Sequence, residues 1–451
     1  MDMLRLIEAE EADGQPGEDW QMRRATARGR RFLFLQGPHG PFFGQLARLV
    51  AHAGADVLRV GFNAGDAAFW PSLLPYTPFT DPPEAWADAC GMLMARDGIT
   101  DLVVYGDTRP VHRAAVVAAR AAGVRVHCFE EGYLRPYWAT YERGGVNGHS
   151  RLMALDIPGM RSRLADAGAE LTELPARWGD LRQHIGWGAA YHARVLLANR
   201  RYRGFRPHRE ISVARELDLY LRRLAALPLH GLMRWNARRR LGRGGNPYHV
   251  ALLQLAHDAS FRAHGAFPTM ADFLETVIAG FAEGAPGHHM LVLKAHPLED
   301  GREPLPRLAA HIARAHGVEG RVLYVPGGKL AALLDQARSA LTVNSTSAQQ
   351  ALWRGLPVRL FGTSVYDKPE LVSRQPLVDF FAEPKVPDME AYRVYRHFLL
   401  ATSQIPGGFY SRRARSRLLR RAPDLMLAEA DPYEMLEQSS GTELQHLRLA
   451  T

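Results

Sequence analysis

Arg31-Phe-Leu-Phe-Leu-Gln36, followed directly by Gly37-Pro-His-Gly-Pro41, is the stretch on which the fold turns. A short apolar run closed by a Gly/Pro cluster reads as a buried strand ending in a tight turn. Phe42–Gly54 then carries apolar residues at helical spacing, and Ala55–Phe62 reads as a second strand. The alternation continues outward. Asp101–Gly106 is a strand, Pro110–Ala122 a helix with proline in its first turn, and Val124–Glu130 another strand. Strands separated by helices of about ten or more residues are not hairpin neighbours; they require a parallel sheet with crossover helices.

The same pattern returns later in the chain. His288–Lys294, Arg321–Val325, Ala340–Asn344 and Pro357–Phe361 read as strands, with helices at Pro304–Ala315, Lys329–Ala337 and Thr346–Arg354. Between the two blocks, 176–285 reads as helical, arginine-rich and without clear strands. The expected fold is therefore α/β: two Rossmann-like domains joined by a helical basic connector, the architecture of GT-B glycosyltransferases. The boundaries read as a flexible tail at 1–28, a first Rossmann-like domain at 29–175, the connector at 176–285, a second domain at 286–395, and a helical, basic C-terminal segment at 396–451.

Composition bounds the function classes. The chain has 451 residues, 47% hydrophobic and 23% charged, which is ordinary for a globular protein and excludes a disordered or fibrous one. Apolar runs such as Ala114–Ala119 stop at Arg120, well short of the roughly 18 residues a membrane span needs. The polar, acidic N-terminus does not read as a secretory signal. Two cysteines, Cys90 and Cys128, make no disulfide framework and suit a reducing cytosol. The net charge is +9, and thirteen arginines lie between Ala198 and Arg243 against Glu210, Glu216 and Asp218. A second basic cluster runs from Arg412 to Arg421.

Ligands of open parallel sheets bind beyond the carboxyl ends of the strands, so strand-to-helix junctions carry the chemistry. Four are loaded. Gln36-Gly-Pro-His-Gly-Pro-Phe-Phe-Gly44 has glycines that let a ligand approach the backbone, although a tight turn explains them equally; its prolines exclude a GxGxxG dinucleotide fingerprint. Glu130-Glu131-Gly132 ends a predicted interior strand, where unpaired carboxylates are costly to bury. Facing a cleft they would serve as nucleophile and acid/base; the bland alternative is a cap paired with Arg135. Lys294-Ala-His-Pro297 puts an amine and an imidazole at a strand mouth, where they would neutralise a phosphate. Asn344-Ser-Thr-Ser-Ala348 leads from strand to helix with hydroxyls suited to capping or to holding an anion. Walker, zinc, GxSxG and Asp-x-Asp signatures are absent from the sequence, so no metal and no resident cofactor is expected.

Taken together these stretches resemble the capsular polysaccharide biosynthesis/export family of the KpsS and LipB type. The resemblance runs through Phe34–Phe43, Val60-Gly-Phe-Asn-Ala-Gly-Asp66, Gly106-Asp-Thr-Arg-Pro-Val-His112, Phe129–Pro136, Gly144-Gly-Val-Asn147, Lys294–Pro297 and Val343–Thr346, in order over about residues 30–410. It implies a retaining β-Kdo transferase of sialyltransferase-like GT-B fold, using CMP-β-Kdo as donor. The second domain would then bind the CMP-sugar and the first the acceptor. His296 and Pro297 match the motif at the cytidine nucleotide, Ser345 and Thr346 the serine motif at its phosphate, and Glu130, Glu131 and Gly132 the acidic-acidic-Gly motif with the catalytic carboxylate. The family's Asn-Asp-Ser-Gln stretch reads His257-Asp-Ala-Ser260, so Asp258 alone is kept. Lys294, Lys329, Arg109 and Arg135 would match the donor's phosphate and carboxylate by charge, with Gln36, Gly37 and Asp107 in support.

The resemblance also implies a phospholipid acceptor, (lyso)phosphatidylglycerol or a Kdo-primed lipid, and a product that begins the oligo-Kdo linker for capsule export. The expected location is cytoplasmic and peripheral on the anionic inner membrane, docked by the arginines of 198–243, with other capsule assembly and export proteins as further partners and no nucleic acid. Two other readings fit the same residues. One is an inverting CMP- or UDP-sugar transferase; the other is a non-catalytic export or scaffold protein, against which the paired carboxylates and phosphate-type loops argue.

Overall fold

Twelve strands appear among the described residues of the computed structural model, which are 26–135, 137–166, 181–202, 204, 211, 213–255 and 258–438. In chain order they are β1 Arg31–Phe34, β2 Asp56–Gly61, β3 Tyr76–Pro78, β4 Asp101–Tyr105, β5 Arg125–Glu131, β6 Trp138–Arg143, β7 Tyr248–Leu252, β8 Met290–Lys294, β9 Val322–Val325, β10 Ser339–Thr342, β11 Val358–Leu360 and β12 Gln404–Pro406. They form two sheets, of order β12-β6-β5-β4-β1-β2-β3 and β11-β10-β7-β8-β9. In the first, β3-β2-β1-β4-β5 are parallel, and β6 and β12 are added antiparallel at one edge. The second is parallel throughout. Both wind as 3-2-1-4-5, so each sheet reverses direction beside its first strand: between β1 and β4 in one, between β7 and β10 in the other. Two Rossmann-like sheets in one chain give the α/β, GT-B class expected from the sequence.

Burial explains the strand sequences. A parallel strand covered on both faces reads as a continuous apolar run, and every residue of β4 and β7 is buried. β1 alternates between two cores. Phe32 and Phe34 pack with the helix Phe42–His52, while Leu33 and Leu35 pack with Trp86–Arg96 and Pro110–Ala121. The second unit is built around Met270–Gly284, started by a capping box of Thr269 and Asp272, with Leu291, Leu293 and Ile312 in its core.

The chain divides into two units, and neither follows the expected boundaries. The first comprises the described residues of Met1–Arg151, Ser162–Glu210 and His397–Thr451; the second comprises Leu152–Arg161 and Ile211–Arg396. The connector expected at 176–285 is not a separate element. Tyr248–Leu252, read as part of it, is the strand beside which the second sheet reverses, and Leu181–Ala198 belongs to the first unit. A five-residue strand amid arginine-rich helices gives too short a period to stand out. The segment 396–451 is likewise part of the first unit: β12 extends its sheet, and Leu418, Leu419, Ala422 and Met426 enter its core. The tail expected at 1–28 lies mostly outside the described residues; of the remainder, Ala27 is fully buried in the first core. No helix among the described residues is long and apolar enough to cross a membrane. Cys90 and Cys128 are buried free thiols.

His249 of β7 is fully buried, with Nδ1 2.7 Å from Ser339 Oγ and Nε2 3.1 Å from His289 Nδ1. Burial holds its pKa down to about 3, the neighbouring His289 adding to the effect. The unfolded imidazole takes a proton below about 6.5, so this stability is complete above that pH and is lost as pH falls toward the folded value. Between pH 7 and pH 5 the destabilisation caused by His249→Gln should therefore shrink by about 2 kcal/mol. Urea unfolding at several pH values measures it; a pH-independent difference would mean that His249 is not held neutral.

Candidate functional site

β5 delivers Glu130 and Glu131 at its carboxyl end, where the chain turns into β6. Gly132 makes that turn possible: a Cβ there would lie 2.1 Å from the Trp138 carbonyl oxygen, a steric requirement independent of any ligand. The Tyr105 hydroxyl, at the end of β4, donates to Glu131 Oε1 at 2.9 Å and lies 3.4 Å from the Tyr410 hydroxyl. The Glu131 N–H donates to Glu130 Oε1 at 2.9 Å. Glu130 leans over Gly106, whose positive φ of 67° leaves room where a Cβ would stand 2.8 Å from Oε2. Burial, with the nearby negative charge of Glu131, raises Glu130 to about 7; the Glu131 N–H, Arg109 and Arg135 pull the other way without prevailing.

Aromatic rings surround this pair. The Arg109 guanidinium lies 5.2 Å from the centre of the Tyr105 ring. His184, from the helix Leu181–Ala198, stacks face to face on Tyr410 at 3.7 Å and 3°. Burial depresses the His184 pKa, and the charge of Glu131 opposes it. Burial also drives the Tyr105 and Tyr410 hydroxyls well above the ordinary phenol range, so both are donors at neutral pH. Tyr105, His184 and Tyr410 were not anticipated: they come from three distant segments, and nothing local in the sequence marks them. Arg135, considered as a partner for the carboxylates, is exposed and donates from Nε to the Gly132 carbonyl at 3.3 Å.

Three other sequence candidates of the first unit are structural anchors. Gln36 donates from Nε2 to Asp66 Oδ2 at 3.1 Å, and the same buried carboxylate accepts from Arg59, Tyr191 and the Phe62 N–H. Gly37 is required because a Cβ would meet the Phe43 ring at 2.7 Å. Asp107 is buried, with Oδ2 accepting from the Val146 N–H and from His149 Nδ1, each at 3.0 Å, so the Gly144–Asn147 stretch is held to the end of β4.

The second unit collects the cationic and amide groups. Lys294 ends β8 with 4% exposure; Nζ donates to the Ala295 carbonyl at 2.8 Å, and burial, with Arg234 nearby, lowers its pKa to about 8. His296 Nδ1 accepts the Leu298 N–H at 3.0 Å, which fixes the neutral ring as its Nε2–H tautomer, a donor. Pro297 is exposed and its carbonyl accepts from Arg223. Arg234 donates to the Pro326 carbonyl at 3.1 Å and holds the loop that ends in exposed Lys329.

Across the reversal between β7 and β10 the structure places a two-way amide clasp. Gln254 Nε2 donates to Asn344 Oδ1 at 2.8 Å, and the Asn344 N–H donates to Gln254 Oε1 at 2.9 Å. Both side chains are buried, and leaving either unpaired there would cost about 1–3 kcal/mol. The clasp presents Ser345, whose Oγ accepts the Ser347 N–H at 3.2 Å and whose carbonyl accepts from Tyr366, with Thr346 starting a short 3-10 turn. Asp258 precedes the helix Ala259–His264, and its N–H donates to the Leu255 carbonyl at 2.9 Å; His257 lies outside the described residues. Gln254 was hidden from the sequence reading by the same short strand that hid β7. Among the described residues no group of three or more His, Cys, Asp or Glu side chains is placed to hold a metal ion.

Residues 100–410 match the family described as capsule polysaccharide biosynthesis protein. The capsule polysaccharide export protein KpsS of Escherichia coli is 28% identical over 388 residues, covering 85% of this chain and 97% of that protein. The capsule polysaccharide modification protein LipB of Neisseria meningitidis serogroup B is 30% identical over 392 residues, covering 84% and 91%. Among solved structures, Thermosulfurimonas dismutans KpsC, a beta Kdo 2,7 transferase, has 12% identity over 87% of this chain and 99% of that one, with a TM-score of 0.41. The family match takes in the carboxylate pair of the first unit and the amine, imidazole and hydroxyl loops of the second. The chain belongs to the capsule polysaccharide biosynthesis protein family.

Proposed function

We propose that this family member transfers Kdo from CMP-β-Kdo to (lyso)phosphatidylglycerol or a Kdo-primed lipid with retention of the β configuration. The observation that carries the reading is the pair Glu130–Glu131 at the end of β5, one carboxylate oriented by the Tyr105 hydroxyl and the other held near neutrality by burial. Retention from a β donor needs two displacements or a front-face route, and a carboxylate nucleophile supplies the former. Glu131 attacks the anomeric carbon as the bond to the CMP phosphate oxygen breaks; the acceptor hydroxyl then displaces Glu131 from the other face. Glu130, poised near pH 7, takes the acceptor's proton in the second step. The second unit supplies the groups that hold CMP: the His296 Nε2–H donor, the Ser345 and Thr346 hydroxyls, and Lys294. These meet the charge of the leaving phosphate without a metal ion.

The carboxylate and nucleotide roles separate experimentally. Glu131→Gln should lower turnover by about three orders of magnitude or more while CMP binding, followed by calorimetry, stays intact. His296→Ala should do the reverse, weakening CMP binding about tenfold, and wild-type binding should survive EDTA. Near wild-type turnover in Glu131→Gln would remove it as the nucleophile. A product with the α configuration by NMR would favour an inverting transferase instead.

Glu130 gives a pH test. A raised pKa keeps its carboxyl protonated below about 7, so as a base it works only above that value. Turnover should rise through pH 7 in the wild type, and that limb should vanish in Glu130→Gln. A limb kept in the variant belongs to another group.

The lipid acceptor requires contact with an anionic surface. In the second unit, the helices Val213–Ala225 and Leu227–Gly244 expose Leu221, Leu229, Leu232 and Trp235, the last two at 54% and 55%. Their arginines divide. Arg223, Arg234 and Arg240 bind the carbonyls of Pro297, Pro326 and Gly320, whereas Arg239 lies over Trp235 at 5.2 Å. In this reading the exposed leucines and Trp235 enter the headgroup layer and the surface arginines attract its phosphates. Sedimentation with liposomes should increase with phosphatidylglycerol content and fall with salt, and replacing Arg238 and Arg239 by Gln should weaken it. Undiminished binding in that variant would dissociate these arginines from the membrane.

A further inference from the structure

The helices Leu181–Ala198 and Arg412–Leu427, both in the first unit, form a concavity of about 550 Å³ lined by Gln183, Arg412, Arg413, Ser416, Arg417 and Arg420. The lining thus carries four guanidinium groups, an amide and a hydroxyl, and among the described residues no carboxylate. Arg413, Arg417 and Arg420 follow one another at helical spacing on one face, which concentrates positive charge along that side of the helix.

The frame of the concavity is packed and hydrogen-bonded to the first core. The opposite face of Arg412–Leu427 is fixed by Ala414, Leu418, Leu419 and Ala422, all buried. Arg415 is buried too, donating to Gln45 Oε1 at 2.7 Å and to the Tyr410 carbonyl at 2.8 Å. The Arg412 N–H donates to Gln183 Oε1 at 2.9 Å and ties the two helices together at the lining itself. The arginine side chains therefore stand on a helix anchored by its other face, and guanidinium groups in such a setting offer forked donors to phosphate oxygens.

A chain of side-chain contacts links the lining of the concavity to the carboxylate pair. Gln183 precedes His184, and Arg412 follows two residues after Tyr410; those two rings stack at 3.7 Å. From Tyr410 the path runs through the Tyr105 hydroxyl to Glu131 Oε1. We infer that this arginine-lined concavity binds the phosphate ester of the acceptor and seats it beside Glu131. That the anion is the acceptor's rests on the transferase reading; that the site takes a phosphate ester rests on the lining.

Calorimetry with dihexanoyl phosphatidylglycerol, glycerol phosphate and dihexanoyl phosphatidylcholine tests it, comparing wild type with Arg413→Gln/Arg420→Gln. Both positions are exposed, so equal thermal unfolding is expected; Arg413→Lys/Arg420→Lys, which keeps charge and loses the fork, serves if the first variant does not fold. The wild type should bind the two phosphate esters more tightly than the zwitterionic lipid, and the Gln variant should bind them about tenfold more weakly. Tighter binding of the lipid than of glycerol phosphate identifies a lipid headgroup as the source, and equal binding a free phosphate ester. Unchanged affinity in both variants, or no binding by the wild type, overturns the site. Phosphate-ester binding that persists without any Kdo transfer would strike the transferase reading and leave the anion site standing. Transfer with an unchanged acceptor KM in the variant would strike the acceptor assignment.

Discussion

Because both sheets are parallel over their central strands and packed on both faces, they have no side chains to offer a ligand except at their strand ends. In the first unit β1 and the residue after it send Phe32 and Phe34 into one core and Leu33 and Leu35 into another. In the second, all five residues of β7 are buried. What remains is the row of loops at the carboxyl ends, opened where the winding reverses between β1 and β4 and between β7 and β10. Glu130, Glu131 and Asp107 sit on one such row, and Lys294, His296, Gln254 and Ser345 on the other.

The same force, burial, tunes the two rows in opposite charge senses. It raises the Glu130 carboxyl to about 7 and lowers the Lys294 ammonium to about 8. Desolvation disfavours whichever form is charged, so an acid and a base at partly dry strand ends both move toward neutrality. Each group then changes protonation within reach of physiological pH, where an exposed glutamate or lysine would not. The aromatic wall of Tyr105, Tyr410 and His184 supplies the dryness on the acidic side, and the loops held by Arg223 and Arg234 lie at the basic side.

Arginine does several kinds of work in this chain, and sequence density does not separate them. Arg415 and Arg234 are spent inside the structure on oxygen acceptors, and Arg59 pairs with buried Asp66. Arg413 and Arg420 stand on the outer face of a helix whose inner face is core. Two neighbours such as Arg413 and Arg415 differ because helical spacing turns one outward and the other in.

The sequence by itself determined the strand–helix alternation, the parallel character of the central strands of both sheets and the placement of Glu130-Glu131, Lys294-Ala-His-Pro297 and Ser345-Thr346 at strand ends, since apolar periodicity and Gly/Pro punctuation are local signals; the antiparallel edge strands β6 and β12 were not among the strands it marked. It did not disclose β7, because five residues bounded by Gly244-Gly245-Asn246-Pro247 carry too little periodicity to stand out from a helical surrounding. With β7 went Gln254 and its clasp on Asn344. Nor did it show that the C-terminal helix closes the first core, or that Tyr105, His184 and Tyr410 meet around Glu131. Those pairings join residues up to about three hundred positions apart, and no short-range pattern specifies them. They exist only once the chain has buried its apolar faces, so tertiary packing alone decided them.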